Sequence, residues 1–343
     1  MTRVDSRIQT ELSPRPLMRI LGDFANSRIL DATLEYDFFT HIHNGAHSAD
    51  AVALQAGTNP RATRIVLDSL LAMDLIEKRD DRYYLPPISE TFLVRGKPTY
   101  VGDFRHVALA FWDGLAHLKE TLKTGKPCGH MDTAGELQVW EKLVLGIIVV
   151  AEPAAKALCD VLKIGSERKR IRVLDIAGGS SIFGMTILSR NPCAEVTQLD
   201  WPNINAVAKK LSRERGFEGK IRFIDGEHRS APLESDHYDL AVASNFCRFE
   251  SPQGNQELFA KTYAALKAGG TFVINDFVPN EERTVPTFAL RFSVYTLTHT
   301  AEGECWTLSQ YLPWLERAGF ASISTHDDIA QTLPGTMLII AKK

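Results

Sequence analysis

The sequence predicts two domains: a mainly α-helical domain, followed by an α/β domain whose mostly parallel sheet carries helices on both faces. Three observations predict this fold class. The chain has 343 residues, which is too long for one ordinary hydrophobic core. Apolar residues recur with helical spacing from about Leu17 to Leu162, whereas buried strands alternate with helices after Gly165. We therefore expect the domains to span 1–165 and 166–343.

The composition is that of a globular protein without a strong charge bias. Lys and Arg number 39 and Asp and Glu 42, so no broad electrostatic footprint for nucleic acid or an anionic membrane is indicated. The five cysteines form no C-x-x-C pair, so neither a disulfide framework nor a zinc site is predicted. No apolar secretory segment is present at the N-terminus, and no apolar stretch approaches the ~20 residues that cross a bilayer. We expect a cytoplasmic protein.

The N-terminal half begins with helices and a hairpin. One amphipathic segment covers 28–42, and Ser48 is expected to cap a short helix that ends at Gly57. Asn59 is expected to cap the next helix. Two short strands flank a polar turn at 79–82, which is typical of the wing in a winged helix-turn-helix module. The residues of the last helix that are predicted to face inward are Ile65, Val66, Leu70 and Leu71.

The winged-helix module, at about 21–97, raises the question of DNA binding. Between Leu30 and Thr99 there are seven Lys or Arg residues against ten Asp or Glu residues. DNA-binding surfaces take much of their affinity from neutralising phosphates, which this segment is poorly equipped to do. We therefore expect the module to serve packing or dimerisation.

Further helices between Tyr100 and Leu162 carry several aromatic side chains. These either pack in the core or line a pocket for a planar ligand, since the region that connects two domains is a favoured place for a ligand. The spacing leaves both interpretations open. The aromatic residues are Phe104, Phe111, Trp112 and Trp140.

Five strands are predicted in the C-terminal domain, with helices between them. Sheets of this kind bind ligands at the carboxyl ends of their strands. The predicted strands lie in the segments IRVLDIAGG, AEVTQLDWP, KIRFIDGE, YDLAVASN and GTFVINDF.

The first of these strands ends in a glycine turn. Gly178 and Gly179 allow the backbone to approach a ligand closely. The turn lacks the G-x-G-x-x-G pattern that seats a pyrophosphate on a helix N-terminus. Because Asp175 precedes Gly178 by three residues, the turn suits a ligand that carries an ammonium group and no phosphate.

Two more acids follow strand ends. Asp200 lies 21 residues after Gly179, where nucleotide-binding α/β folds bind ribose hydroxyls; the alternative is that it caps the helix beginning near Pro202. Glu227 follows the third strand and either accepts a hydrogen bond from an adenine amino group or is a solvated loop acid. Together with Asp175 these acids fit one ligand with an amine, a ribose and a base, namely S-adenosylmethionine.

Several motifs resemble those of the class I S-adenosylmethionine-dependent methyltransferases: VLDIAGGSSIFG, QLDWP, SNFCRFESPQ, YAALKAGGTFVINDFVPNEE and LPWLERAGF. More narrowly, the chain is similar to small-molecule O-methyltransferases of the hydroxyindole and plant-phenolic type, which include bacterial natural-product members. That resemblance covers nearly the whole chain, because the family also has an N-terminal winged-helix dimerisation domain. It implies a Rossmann-like methyltransferase domain over 166–343, and a domain over 1–165 that pairs two protomers and helps to close the pocket.

The resemblance also implies the residues of a cofactor site. Gly178 and Gly179 would approach the methionine part of S-adenosylmethionine. Asp200 would bind the ribose hydroxyls, with Trp201 beside the adenine, and Glu227 stands where the family usually has Asp. The residues implied to border the sulfonium are Ser244, Asn245 and Phe246. Two turn positions that are often glycine in the family hold Ala177 and Ser181.

At the catalytic positions the chain departs from the family. Arg248 and Phe249 stand where the family often has histidines, one of which is its general base, and neither takes a proton at neutral pH. Asp276 is retained as the acid that supports this base. An acceptor that is already ionised needs only proximity and alignment. Arg248 would hold such an anion by a charge-assisted hydrogen bond, or it forms a salt bridge with Asp276 or Glu250 and has no role in the reaction.

Histidines elsewhere are candidate bases. We favour His299, because it lies in the helix RFSVYTLTHT, where the family lines its acceptor pocket; His106 and Tyr295 follow. No two histidines have metal-ligand spacing beside a carboxylate, so a metal-independent enzyme is predicted. The other candidates are His117, His130 and His237.

The leading prediction is a homodimeric enzyme that O-methylates an aromatic or polyketide-like small molecule and has neither a nucleic-acid nor a membrane partner. One alternative is C-methylation, because the Cys-Arg pair at 247–248 resembles that of the bacteriochlorophyllide C-methyltransferase branch. Another is a relative that binds the cofactor without transferring methyl, such as a hydroxylase, a decarboxylase or a pericyclase-like enzyme.

Overall fold

A computed structural model describes residues 13–129, 137–166, 169–327 and 335–343. The chain divides into two compact units after Arg105. The helices between 106 and 162 therefore belong to the second unit, although the sequence pattern changes only near Gly165. The division of roles between 1–165 and 166–343 stays a prediction.

The first unit contains helices and a two-stranded hairpin in the predicted order. Ser48 Oγ accepts a hydrogen bond from Ala51 N at 3.2 Å, and Asn59 Oδ1 accepts one from Ala62 N at 3.1 Å. Both predicted caps are confirmed. The elements are α1 (Arg15–Gly22), α2 (Phe24–Glu35), α3 (Phe38–His43), α4 (Ala49–Ala56), α5 (Pro60–Ala72), β1 (Glu77–Arg79), β2 (Arg82–Tyr84) and α6 (Pro87–Phe92).

The hydrophobic core of this unit shows that the predicted inward position of Ile65 is wrong. Leu67 and Leu70 on α5 are fully buried, whereas Ile65, predicted to face inward, is 41% exposed. The buried stripe of α5 runs through Thr63, Leu67 and Leu70, a spacing of four and three residues that lies on one face of a helix. The hairpin turn is made by Asp80 and Asp81, which both have left-handed backbones.

The second unit is an α/β domain preceded by helices. None of the described helices combines the length and the apolar character needed to span a membrane. The elements are α7 (Arg105–Ala116), α8 (Leu118–Thr124), α9 (Leu137–Gly146), α10 (Ile148–Val161), β3 (Arg172–Ile176), α11 (Ile182–Arg190), β4 (Glu195–Asp200), α12 (Pro202–Glu214), β5 (Ile221–Asp225), β6 (Tyr238–Ser244), α13 (Pro252–Ala265), β7 (Leu266–Phe277), α14 (Thr287–His299), α15 (Leu308–Ala318), β8 (Ile323–Asp327) and β9 (Thr336–Lys342).

The sheet has the strand order β5-β4-β3-β6-β7-β9-β8. The five predicted strands, β3 to β7, are parallel to one another, and β8 and β9 add an antiparallel edge that the sequence did not predict. The strand order reverses at β3, since β4 lies on one side of it and β6 on the other. The carboxyl ends of these three strands therefore frame the crevice in which such sheets bind ligands.

Each face of the sheet is covered by its own hydrophobic core. Successive side chains of β3 alternate between faces, so Val173 packs in one core and Leu174 in the other. Because both faces are covered, β3 is apolar apart from Arg172 at its first position and Asp175, which is 1% exposed. Burying a carboxyl costs free energy, so a fully buried acid next to the ligand-binding edge of the sheet indicates a functional role.

Candidate cofactor site

A cavity of about 890 Å³, including its open mouth, lies at the carboxyl ends of β3, β4 and β6. It is largely apolar, and helix α9 forms one wall with Trp140, Leu143 and Val144. The predicted cofactor residues that line it are Gly178, Gly179, Asp200, Trp201, Ser244, Asn245 and Phe246. The structure thus brings together seven residues that are spread over 69 positions of the sequence.

The glycine turn owes its shape to the lack of a side chain. A Cβ added to Gly178 would lie 2.6 Å from Gln198 Oε1 and 2.8 Å from Asp175 Cγ, which is too close for real atoms. Ala177 and Ser181 have left-handed φ angles of 50° and 62°. Such angles strain residues that carry a Cβ, which is a physical reason for glycine at these two positions in the family.

Asp175 lies beneath the turn rather than in the cavity wall. Its Oδ2 accepts a hydrogen bond from Gly184 N at 3.3 Å, and burial raises the pKa of its carboxyl to about 7. Within the described residues, neither Asp175 Oδ1 nor Gln198 Oε1 has a hydrogen-bond partner. Two buried acceptors therefore remain beneath Gly178, and neither residue is among the described residues that line the cavity.

Asp200 is held rigidly at the end of β4. Its Oδ2 accepts a hydrogen bond from Gly179 N and its Oδ1 one from Trp201 N, each at 2.8 Å. Helix α12 begins at Pro202 with Trp201 as its N-cap residue, so the capping alternative for Asp200 does not hold. Burial raises the pKa of Asp200 to about 6 against the effect of the two backbone hydrogen bonds. Each carboxylate oxygen keeps a second lone pair for a hydroxyl donor.

Asn205 holds the ends of β4 and β5 together, and no sequence pattern indicated this role. The residue is fully buried on α12, and its Nδ2 lies 3.1 Å from Asp200 O, 2.9 Å from Ile224 O and 2.7 Å from Asp225 Oδ1. Its Oδ1 accepts a hydrogen bond from Gln198 Nε2 at 3.1 Å. Asn205 therefore joins the ends of β4 and β5.

Helix α9 covers the turn and the start of α12. A Cβ on Gly179 would lie 3.2 Å from Val144 Cγ1, so the helix and the turn are nearly in contact. Glu141 Oε1 accepts a hydrogen bond from Asn203 Nδ2 at 3.1 Å, and the rings of Trp140 and Trp201 meet edge to face at 6.3 Å. Of the four aromatic residues for which the sequence left core and pocket open, Trp140 lines this cavity.

Arg248 is buried beside the cavity rather than in its wall. It is 1% exposed, and its Nη1 lies 2.5 Å from Asp276 Oδ1 and 3.2 Å from Asn245 Oδ1. The rings of Phe277 and Phe292 lie 4.5 and 4.4 Å from the centre of the guanidinium. The salt bridge that the sequence offered as an alternative is therefore present with Asp276. Arg248 contacts two residues of the cavity wall, Asn245 and Phe249.

His299 is packed against α7. It is 4% exposed, its Nδ1 lies 2.9 Å from Tyr295 O, and a Cβ on Gly114 would lie 2.0 Å from its Cε1. Tyr295 itself stacks on Phe111 with ring centroids 4.8 Å apart. Neither His299 nor Tyr295 is among the described residues that line the cavity, and the same holds for His106, His117 and His237. His130 lies outside the described residues.

Two titratable residues to which the sequence analysis assigned no place in the site lie in the wall instead. Glu250 was predicted only as a possible partner of Arg248, and it pairs with Arg229. His228 and Glu250 both line the cavity, whereas the predicted Glu227 does not and has its Oε1 3.8 Å from Arg229 Nη1. A histidine after a strand and an acid after a short turn belong to no pattern with a known spacing. Only the fold brings them together.

The described residues fit S-adenosylmethionine. Asp200 offers acceptors for the ribose hydroxyls. The Asp175 carboxyl, buried beneath Gly178, is an acid close to the turn and suits a ligand with an ammonium group. The apolar wall, with Trp140 and Trp201, suits the base and the carbon chains attached to the sulfonium.

Known proteins that are similar to this chain include O-methyltransferases. The family model of the O-methyltransferase domain matches residues 158–321, and that of the O-methyltransferase dimerisation domain matches residues 18–95. A 3-hydroxy-5-methyl-1-naphthoate 3-O-methyltransferase of Streptomyces sahachiroi is 25% identical over 87% of each chain.

Solved structures share the fold over almost the whole chain. A candidate O-methyltransferase of Nostoc punctiforme superposes with a TM-score of 0.87 at 26% identity, covering 97% of this chain and all of its own. Human N-acetylserotonin methyltransferase, solved in complex with S-adenosylmethionine, gives a TM-score of 0.82 at 21% identity over 97% of this chain and 99% of its own. The chain belongs to the O-methyltransferase family and is an S-adenosylmethionine-dependent methyltransferase.

Proposed function

We propose that the enzyme methylates a hydroxyl group of an aromatic, polyketide-like small molecule. The similarity to a naphthoate 3-O-methyltransferase supports this acceptor class. The single observation that carries the reaction is the cavity at the switch point of the sheet, in which Gly178, Gly179 and Asp200 meet.

The proposed roles of the cofactor residues follow from their contacts. S-adenosylmethionine supplies an electrophilic methyl group on a sulfonium. Asp200 binds the ribose hydroxyls, and Asp175 attracts the ammonium group through the glycine turn. Trp201 packs beside the base. The residues that border the sulfonium are Ser244, Asn245 and Phe246.

Arg248 and Asp276 act as a positioning pair in this proposal. The guanidinium neutralises Asp276 and donates to Asn245 Oδ1, and so it fixes one polar group of the cavity wall. Because Arg248 is paired and enclosed by aromatic rings, it neither removes a proton nor holds an acceptor anion. The acceptor therefore enters as a phenolate or as an acidic phenol that loses its proton to solvent.

The test is methyl transfer from cofactor labelled in the methyl group to a panel of hydroxyarenes whose hydroxyl pKa values differ. We expect labelled ethers, and a pH–rate profile whose midpoint follows the pKa of each acceptor. A midpoint that stays fixed while the acceptor changes would reveal a base on the enzyme. Product labelled on carbon would establish C-methylation. Tight cofactor binding without any transfer would support a non-methylating relative.

We also propose that the enzyme is a homodimer paired through its first unit. The match to the dimerisation-domain model supports this. Helix α1 supports it as well, because none of its residues is buried and its apolar side chains are about two-thirds exposed. A contiguous apolar surface of this kind marks an interaction site.

A further inference from the structure

His228 and Glu250 form a polar pair in the wall of the cofactor cavity. His228 comes three residues after the end of β5, and Glu250 follows the 3₁₀ turn Cys247–Phe249. The two residues are 8% and 2% exposed, and both line the cavity. Removing two polar side chains from water costs free energy that pairing offsets only in part. None of the roles described above involves this pair.

Glu250 determines how the imidazole is held. His228 Nε2 lies 3.3 Å from Glu250 Oε1, while Arg229 Nη2 lies 2.5 Å from the other carboxylate oxygen. Burial opposes the ionisation of Glu250, but His228 and Arg229 outweigh it and hold its pKa below the usual value. The edge of the Phe246 ring packs against the imidazole at 4.7 Å. The ring of His228 is thus fixed by a charged carboxylate on one side and an aromatic ring on another.

One nitrogen of this fixed ring remains for a ligand. Nε2 lies at ion-pair distance from Glu250 without a hydrogen bond, and no hydrogen bond within the described residues involves Nδ1. A neutral or a charged imidazole offers a hydrogen-bonding group at each nitrogen. The room for the carboxylate comes from Gly254, since a Cβ there would lie 2.5 Å from Glu250 Oε2.

The pair lies next to the ribose-binding acid. Strands β4 and β5 run side by side with Asp200 opposite Asp225, and Gly226 N donates to Asp200 O at 3.0 Å. The loop that carries His228 is therefore bonded to the residue proposed to bind the ribose. In a nucleoside, the base is the group attached directly to the ribose.

We propose that His228, positioned by Glu250, binds the adenine base of the cofactor and distinguishes adenine from other purines. The edge of adenine presents a ring nitrogen acceptor beside an amino donor. In a neutral imidazole whose Nε2–H faces the Glu250 carboxylate, Nδ1 is an acceptor and receives a hydrogen bond from that amino group. This inference rests on the proposed binding of the ribose by Asp200. It assigns the recognition of the base to His228 rather than to Glu227.

The experiment measures binding by calorimetry, with S-adenosylhomocysteine and S-inosylhomocysteine as ligands. His228→Met keeps an apolar side chain of similar length against Phe246 but removes both nitrogens. We expect it to weaken the adenosyl ligand about tenfold, as the loss of one good hydrogen bond does, and to leave the inosyl ligand little changed. The preference for adenine would thus collapse. His237→Met, at a histidine outside the cavity that pairs with Glu234, is the matched control and should change neither affinity.

The role of Glu250 is tested by a double-mutant cycle on the same affinities. Glu250→Gln should weaken the adenosyl ligand and narrow the preference for adenine, because the ring is no longer held by a charge. In the double variant with His228→Met it should cause no further loss of affinity, since both substitutions remove the same interaction with the base. Circular dichroism and melting temperatures establish that each variant is folded.

The outcomes separate this inference from the proposed function. Unchanged adenine preference in His228→Met would overturn the inference while leaving the enzyme's activity as proposed. A loss of kcat with unchanged binding would overturn it too, since His228 would then act on the acceptor. Unchanged binding in Asp200→Ala, together with a collapsed preference in His228→Met, would refute only the ribose assignment. A wild-type enzyme that binds neither ligand would contradict both proposals.

Discussion

The pair Arg248–Asp276 carries a large share of the local stability at the site. Arg248→Met leaves the Asp276 carboxylate buried without its counter-ion, and we expect a loss of about 3–5 kcal/mol in the free energy of unfolding. Denaturant unfolding measures this loss. The second change Asp276→Asn should restore part of it, because the unpaired charge is then gone.

An exposed pair provides the matched control for Arg248. Arg213 lies 2.9 Å from Glu218 with both side chains about two-thirds exposed, so Arg213→Met should cost less than about 1 kcal/mol. Equal losses in the two Arg→Met variants would show that the enclosure of Arg248 has no energetic consequence.

The pKa of Asp200 predicts how cofactor binding depends on pH. Burial raises that pKa to about 6, so the carboxylate is ionised at pH 8 and becomes protonated as the pH falls through 6. Because ribose hydroxyls donate to the charged form, the Kd of S-adenosylhomocysteine should rise below pH 6, approaching about tenfold per pH unit. Calorimetry between pH 5 and pH 8 measures this profile.

The control variants identify the group that titrates. Asp200→Asn should bind weakly and lose the dependence centred near pH 6, so that only a dependence near pH 7 from Asp175 remains. Asp236→Asn, at an exposed acid, should keep the wild-type profile. His228 also lines the cavity, so the profile is repeated in His228→Met. Should the dependence centred near pH 6 vanish there but persist in Asp200→Asn, the assignment to Asp200 is wrong.

At the scale of the element, the glycine turn after β3 tolerates no side chain at Gly178. Gly178→Ala would force Gln198 and Asp175 apart, and overpacking of this kind costs about 1–3 kcal/mol. We expect an affinity for S-adenosylhomocysteine at least tenfold lower. Gly22→Ala is the control, since a Cβ at Gly22 meets nothing within 4 Å. Similar affinities in the two variants would refute the importance of the close approach.

Elements whose ends are decided locally could be predicted from the sequence. Ser48 and Asn59 cap helices by contacts with residues three positions away, and the order of strands and helices follows from apolar periodicity. Asn205 could not be predicted, because its partners on β4 and β5 come together only in the folded sheet. Helix α9 was recognised as helical and aromatic, but its place over the glycine turn depends on tertiary packing.

The same distinction divides the candidate site. Residues at strand ends were predicted, because the carboxyl edge of a parallel sheet is a general binding position, and seven of them line the cavity. The surroundings of Arg248 and His299 were not predicted, since burial depends on the rings and helices packed around them. His228 was missed for the same reason.

For the whole molecule, the proposed homodimer predicts that charges on α1 separate the protomers. Leu17 and Leu21 are 65% and 72% exposed in the single chain, and Leu17→Glu with Leu21→Glu would bury two carboxylates in the interface. Light scattering should give about twice the chain mass of 38.2 kDa for the wild type and one chain mass for the variant.

An exposed leucine on another helix of the same unit is the control. Leu54 on α4 is 79% exposed, and Leu54→Glu should leave the dimer intact. A dimer that persists in the α1 variant would place the interface elsewhere.

The buried carboxyl of Asp175 has a consequence for the degradation of the protein in the cell. The Asp175 carboxyl is buried beneath the glycine turn, and a bound ligand whose ammonium group lies near the turn stabilises the charged form of this carboxyl as well as adding its own affinity. The opened state that proteases attack should therefore be rarer when the methyl donor is plentiful. We expect limited proteolysis to slow when S-adenosylhomocysteine is added, and cellular levels of the enzyme to follow the supply of its methyl donor.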